Sequence, residues 1–138
     1  MSEPLRHTID VEVRYAETDQ MGVVHHSVYL VWFEQARTAL CLASGYHYAA
    51  IEAMGYYLVV TRCETRYTTG ARYGDTVQVG CWLEKLSSRG LRFAYEVRRD
   101  GKLLASGATE HVWVERASGR PCRIPGVLEK PFARLAGI

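Results

Sequence analysis

This chain lacks cysteine pairs, long apolar runs and blocks of like charge. Its four cysteines, Cys41, Cys63, Cys81 and Cys122, are far apart and form no CxxC pair, so neither a zinc site nor a redox dithiol is signalled. Three of them lie in apolar segments, where a free thiol behaves as a small hydrophobe. The longest unbroken apolar run, Val28 to Phe33, has six residues, far too short to span a bilayer. The N-terminal MSEPLRHT carries no apolar core of a secretory signal, so cytoplasm is the expected location. Net charge is only +2, and nothing suggests a nucleic-acid arm or insertion into a membrane. Arg116, Arg120 and Arg123 are spread out and read first as solvated surface. The GxSxG, P-loop, GxGxxG and HExxH signatures are all absent, which removes the chemistries they mark. His25 and His26 are adjacent, so they are expected to point apart and to hold no metal.

With 138 residues, the chain reads as one domain, 1–138, with a core of its own. Thr8 to Tyr15 alternates, with Ile9, Val11, Val13 and Tyr15 facing inward, which is the pattern of a half-buried strand. Ser27 is a candidate cap for a helix running to about Ser44, with Gly45 as its stop. Tyr29, Phe33, Ala36, Leu40 and Ala43 form a stripe at helical spacing, and Val28, Leu30, Val31 and Trp32 widen it almost all round. So apolar a helix is expected to be buried on several sides. After a short irregular piece, the signal is all strand: Leu58–Thr68, Thr76–Leu86, Leu91–Arg99 and Leu103–Glu115. Asp100-Gly101 is the strongest hairpin signal. From about residue 117 a Pro-containing tail is expected to be partly mobile. Helix and strands are segregated, so the fold class is α+β with an antiparallel sheet. The first strand and the four later ones could curl around the single helix.

The residues with chemical potential cluster in Tyr15 to Arg37, YAETDQMGVVHHSVYLVWFEQAR. Asp19 sits in the strand-to-helix connection, a location that favours function. Its ordinary reading is an Asx-turn. Its neighbourhood favours a catalytic one. Gly22 permits a tight backbone, and His26 and Ser27 begin a helix whose free N–H groups carry partial positive charge. A thioester carbonyl oxygen placed there would meet an oxyanion hole, and the carboxylate could attack the carbonyl carbon or activate water. His26 reads as a helix-start histidine or as a substrate-orienting residue that supplies the oxyanion N–H. His25 reads as lining an acyl pocket or as partly exposed. Tyr15 reads as core packing rather than as a catalytic hydroxyl. Glu34 reads as an i,i+3 partner of Arg37, or as an alternative base. Tyr48, Tyr56, Tyr57 and Trp32 are candidates either for the pocket or for the core.

The pattern Y-x-E-T-D-x-x-G-V-V-x-H-x-x-Y-x-x-x-F-E-x-A-R resembles the hotdog-fold acyl-CoA thioesterases of the 4-hydroxybenzoyl-CoA thioesterase type, and among them the branch found with the Tol–Pal envelope system. The likeness continues more loosely through RYTTGARYGDTVQV, SSRGLRFAYEV and P-x-R-I-P. It implies a five-stranded antiparallel sheet wrapped around one long helix. It also implies a homodimer with sites at the subunit interface, often a tetramer built as a dimer of dimers. The function implied is hydrolysis of acyl-CoA to a free acid and coenzyme A, with no cofactor beyond the coenzyme A of the substrate. Asp19 takes the role of catalytic carboxylate, His26 the oxyanion N–H, and Tyr15 the tyrosine of the first strand. Arg89 and Arg123 fall where the coenzyme A nucleotide lies. His25 stands where relatives commonly carry tyrosine, which puts any inherited acyl preference in question. An acyl carrier protein thioesterase and a non-catalytic acyl-CoA-binding module are the alternatives.

Overall fold

In the computed structural model, which describes residues 2–138, the helix of the opening motif, α1 (Val28–Ala43), lies against the inner face of a curved sheet. The strands are β1 (His7–Glu12), β2 (Tyr56–Tyr67), β3 (Thr76–Leu86), β4 (Gly90–Arg99) and β5 (Lys102–Glu115). They pair antiparallel in the order β1-β3-β4-β5-β2. This is the α+β hotdog arrangement. A short helix α2 (Tyr48–Ala53) precedes β2, and a two-residue strand β6 (Pro121–Cys122) pairs with β5. Among the described residues no helix is long and apolar enough to cross a membrane.

Side-chain alternation sets which face of the sheet meets the helix. Val77, Val79, Cys81 and Leu83 of β3 and Phe93, Tyr95 and Val97 of β4 are all buried, as their spacing predicts. Tyr29, Trp32, Phe33, Ala36 and Leu40 of α1 face them and are buried too. Each valine, leucine and phenylalanine among them contributes on the order of 1.5–3 kcal/mol through loss of apolar surface to water. Phe33 stacks on Tyr95 with ring centroids 4.3 Å apart and planes 8° from parallel. Gly107 on β5 admits this pair: a Cβ there would stand 2.6 Å from the Phe33 ring and 2.5 Å from the Glu64 carbonyl oxygen. Asp100 and Gly101 both adopt positive φ, 51° and 81°, as the tight β4–β5 hairpin requires.

Several expectations are corrected. β1 ends at Glu12, and Tyr15 lies in a 3-10 turn (Tyr15–Glu17). Tyr15 is 75% exposed and meets Tyr73 edge-on at 5.5 Å, so it is not core. Of the apolar residues expected to bury the helix on several sides, Leu30 and Val31 are exposed, as is Leu42. Residues after 117 do not form a mobile tail. Helix α3 (Gly126–Leu135) packs Leu128 and Phe132 into the core, with Phe132 against Trp113. Its end is tied to the N-terminus, where Leu5 N–H donates to the Leu135 carbonyl at 2.9 Å. Trp32 is fully buried core. Of the cysteines, Cys41 and Cys81 are buried while Cys63 is exposed.

A buried polar chain crosses the core. Arg37 Nε donates to the Tyr48 hydroxyl at 2.9 Å, and Arg37 Nη1 donates to the Tyr95 hydroxyl at 3.1 Å. The Tyr95 hydroxyl is 2.6 Å from Thr109 Oγ1, which is 2.8 Å from His111 Nε2. The expected Glu34–Arg37 ion pair is therefore replaced by tyrosine partners. His111 Nδ1 has no partner among the described residues. Burial, reinforced by the nearby Arg37 charge, pulls the His111 pKa down to about 3.

Two outcomes test this core. Gly107→Ala is expected to lower unfolding free energy in urea by about 1–3 kcal/mol; an unchanged midpoint would show that the Phe33 contact yields freely. His111 binds its proton more readily in the unfolded chain, so its contribution is full above about pH 6.5 and is lost as pH falls toward 3. Between those limits the loss is about 1.4 kcal/mol per pH unit. The difference between wild type and His111→Asn should therefore change with pH over 6.5 to 4.5, and a constant difference would contradict a neutral buried imidazole.

Candidate active site

The connection from β1 to α1 is shaped by its own backbone. The Glu17 carboxylate is buried and accepts the Arg14 N–H at 2.8 Å, which closes the 3-10 turn. Thr18 then bridges to Val24. Between them the chain makes a tight loop: Asp19 N–H donates to the Val23 carbonyl at 2.8 Å, and Gly22 N–H donates to the Asp19 carbonyl at 3.0 Å. Gly22 takes φ 83°, a value that costs side-chain-bearing residues strain. Val24 N–H donates to the Ala71 carbonyl at 2.8 Å, fastening the loop to the segment that leads into β3. Gly70 lies hard against this loop, where a Cβ would stand 2.7 Å from Val23 Cγ1 and 2.9 Å from Val23 Cβ.

Asp19 does form the Asx-turn that its ordinary reading predicts. Its Oδ1 accepts the Met21 N–H at 2.9 Å and the Val23 N–H at 3.4 Å. Its Oδ2 has no hydrogen-bond partner among the described residues. The turn thus fixes the carboxylate through one oxygen and leaves the other free. Asp19 and His26 line one cavity of about 290 Å³, whose walls include Tyr29, Tyr67 and Gly70. The Tyr67 hydroxyl donates to the His26 carbonyl at 2.8 Å, tying the end of β2 to the start of α1. The His26 backbone N–H meets no acceptor among the described residues. A free backbone N–H stabilises a developing oxyanion placed against it. Burial raises the Tyr29 pKa, so its hydroxyl stays protonated at the cavity wall.

Ser27 adopts helical backbone angles and makes no cap bond. Its hydroxyl lies 2.8 Å from His25 Nδ1 instead. The two imidazoles do not point apart: the rings of His25 and His26 lie 4.1 Å from each other, tilted by 33°. His25 is exposed and does not line the Asp19 cavity, nor does Tyr15. Arg89 and Arg123 come together at the other end of the strands. Trp113 N–H donates to the Arg89 carbonyl at 3.3 Å, and Ile124 N–H donates to the Ser88 carbonyl at 2.8 Å. Both arginines are exposed. β3 separates this corner from the Asp19 end, and eleven residues at ~3.3 Å each make it ~35 Å long.

Tyr67 and Gly70 were not legible as site residues. TTGA between two strands reads as a turn, and only the docking of the Asp19 loop gives Gly70 its role. Arg37, Tyr95, Thr109 and His111 carried a fainter signal, since a threonine and a histidine occupy inward positions of β5.

The comparisons agree with this fold. Residues 13–132 match the model of the thioesterase-like superfamily. A Bacillus subtilis relative named "Putative acyl-CoA thioesterase YneP" is 36% identical over 113 residues, 81% of this chain and 82% of that one. A crystal structure of a hypothetical protein from Thermus thermophilus superposes with TM-score 0.90 at 41% identity, over 95% of this chain and 98% of the other. The DHNA-CoA thioesterase of Staphylococcus aureus superposes with TM-score 0.90 at 30% identity, over 96% and 91% of the two chains. From the Tyr15–Arg37 motif through the fold to these relatives, every level agrees that the chain belongs to the thioesterase-like superfamily, as a hydrolase acting on thioesters.

Proposed function

We propose that this protein hydrolyses acyl-CoA thioesters with Asp19 as the catalytic carboxylate. The observation that carries the reading is that Asp19 and His26 line one cavity, while among the described residues Asp19 Oδ2 and the His26 N–H have no hydrogen-bond partner. In the base route, Asp19 Oδ2 takes a proton from water as the oxygen bonds to the thioester carbonyl carbon. The tetrahedral oxyanion rests on the His26 N–H, two residues ahead of α1. Collapse breaks the C–S bond and releases the acid, while coenzyme A leaves as a thiolate and takes up a proton. In the nucleophilic route, Asp19 Oδ2 itself bonds to the carbon, the C–S bond breaks to release coenzyme A thiolate, and water then opens the mixed anhydride at the aspartyl carbon, freeing the acid. The names of relatives support an acyl-CoA substrate: those above and the acyl-CoA thioester hydrolase YbgC of Escherichia coli O157:H7, 27% identical over 123 residues. The motif itself supports the Tol–Pal-associated branch.

The reading includes a homodimer. β2 offers a free edge twelve residues long, with Tyr57, Val59, Val60 and Tyr67 exposed beside Val31 of α1. A free edge of this length and character invites another strand. Antiparallel pairing of two β2 strands about a two-fold axis would set the Tyr67 end of one protomer beside the Tyr56 end of its partner. The Arg89 and Arg123 corner would then lie near the partner's Asp19, close enough to hold the coenzyme A nucleotide, a distance no single protomer bridges. Further assembly into a dimer of dimers follows the same resemblance.

Asp19→Asn is expected to lower kcat for acyl-CoA hydrolysis by at least a hundredfold with the fold retained; undiminished turnover would overturn the assignment. A single turnover in ¹⁸O-labelled water tests the nucleophilic route: label in the Asp19 side chain is expected only where water opens a mixed anhydride at the aspartyl carbon. Gly70→Ala should displace the loop through Val23, cutting kcat/KM about tenfold or more, and Val23→Ala in the same chain should restore much of the loss. If Gly70→Ala is fully active, the loop position does not limit catalysis.

A further inference from the structure

The backbone from Val23 to Val28 has every amide but one engaged. Val23 N–H reaches Asp19 Oδ1 at 3.4 Å, Val24 N–H the Ala71 carbonyl at 2.8 Å, and His25 N–H the Glu17 carbonyl at 2.8 Å. Ser27 N–H donates to the His25 imidazole at Nδ1, 3.3 Å away, and Val28 N–H donates to the His25 carbonyl at 3.0 Å. The His26 N–H between them meets no acceptor among the described residues. In the His25 contact a side chain accepts from the backbone two residues on, the closure that defines an Asx-turn. His47 makes the same closure ahead of α2, where its Nδ1 accepts the Ala49 N–H at 3.1 Å. An acceptor at Nδ1 places the imidazole proton on Nε2, and the Ser27 hydroxyl, 2.8 Å from Nδ1, donates to the same nitrogen.

We propose that His25 is a positioning residue for thioester hydrolysis, which together with Tyr67 aims the His26 N–H at the oxyanion. The inference rests on the reading that the His26 N–H receives the oxyanion. The ring closed by the Ser27 N–H and His25 Nδ1 contains the whole His25–His26 peptide. It therefore fixes the plane of that peptide and the direction of its N–H. Two further ties bound the same segment. The Glu17 carbonyl holds the His25 N–H on one side, and the Tyr67 hydroxyl holds the His26 carbonyl at 2.8 Å on the other. Without the imidazole the torsions between these ties loosen, and the free N–H no longer keeps one direction. A preorganised donor needs no rearrangement as charge develops. A misaimed one lowers kcat and leaves the contacts of the ground state in place. The His25 ring is exposed and does not line the Asp19 cavity, so it acts through the His26 amide rather than on substrate.

Steady-state kinetics test it, on whichever of acetyl-CoA, palmitoyl-CoA and benzoyl-CoA wild type turns over fastest. His25→Phe keeps a ring and removes the acceptor; it should lower kcat about tenfold with KM within about twofold of wild type. His25→Asn offers a side-chain oxygen to the Ser27 N–H in place of Nδ1 and should recover most of that loss. Tyr67→Phe should lower kcat as well. With both changes in one chain, His25→Phe and Tyr67→Phe, the loss should fall short of the product of the single losses, since both act on one segment. An unchanged kcat in His25→Phe, an equal loss in His25→Asn, or losses that multiply overturns the proposal. A raised KM with kcat held would make His25 a substrate contact and overturns it too. Asp19→Asn separates the two levels. If it silences turnover while His25→Phe is fully active, hydrolysis by Asp19 stands and only the role of His25 falls; if it is itself undiminished, the reading of the site fails. Nitrogen-15 spectra of the imidazoles at alkaline pH give a readout independent of activity. A bare Nδ1 on His25 with the proton on Nε2 supports the closure, and a proton on Nδ1 refutes it.

Discussion

Burial of the apolar stripe of α1 against the inner face of the sheet governs the rest of this molecule. Tyr29, Trp32, Phe33, Ala36 and Leu40 join the inward residues of the sheet in one core, with β1 and β3 lying beside the helix. Phe33 on Tyr95 fixes both the rotation of the helix and its height along the strands. Gly107 is the point where the sheet gives way to that contact. With rotation and height set, the N-terminal end of α1 must emerge beside the end of β2, where Tyr67 reaches the His26 carbonyl. The site is thus a consequence of how the helix is seated.

The same seating explains why two very different polar environments coexist. At the helix start, the loop of Asp19 stays accessible and its carboxylate keeps one free oxygen. Two turns and more further on, Arg37 enters the core, where each hydroxyl and imidazole along its chain must find a partner or bear the cost of burial. The first environment suits a group that exchanges protons with substrate or water. The second holds a fixed charge on the hydroxyls of Tyr48 and Tyr95. Both hang from one sixteen-residue helix, so the spacing between them is rigid.

Much of the fold was legible because period-2 alternation and turn residues act locally. β3 and β4 point the side chains inward that their spacing predicts, and the Asp100-Gly101 turn takes the positive φ values its composition favours. Tyr15 misled because alternation continues in the letters after the backbone has left the strand for a 3-10 turn. His25 and His26 misled because neighbours diverge only in regular structure, and these two precede the helix proper. The last helix was missed because Pro131 lies within it, and proline inside a helical pattern argues against one.

The sequence by itself determined the helix, the strands, the acidic loop ahead of the helix start, and the candidacy of Asp19, because each depends on residues close together in the chain. Tertiary structure decided what those residues do together. It brought Gly70 and Tyr67 against a loop more than forty positions earlier, left one Asp19 oxygen free, carried Arg89 and Arg123 to the far end of the strands, and buried Arg37 without a carboxylate. None of these is readable from spacing. Each is fixed by which surfaces exclude water together when the helix packs into the sheet.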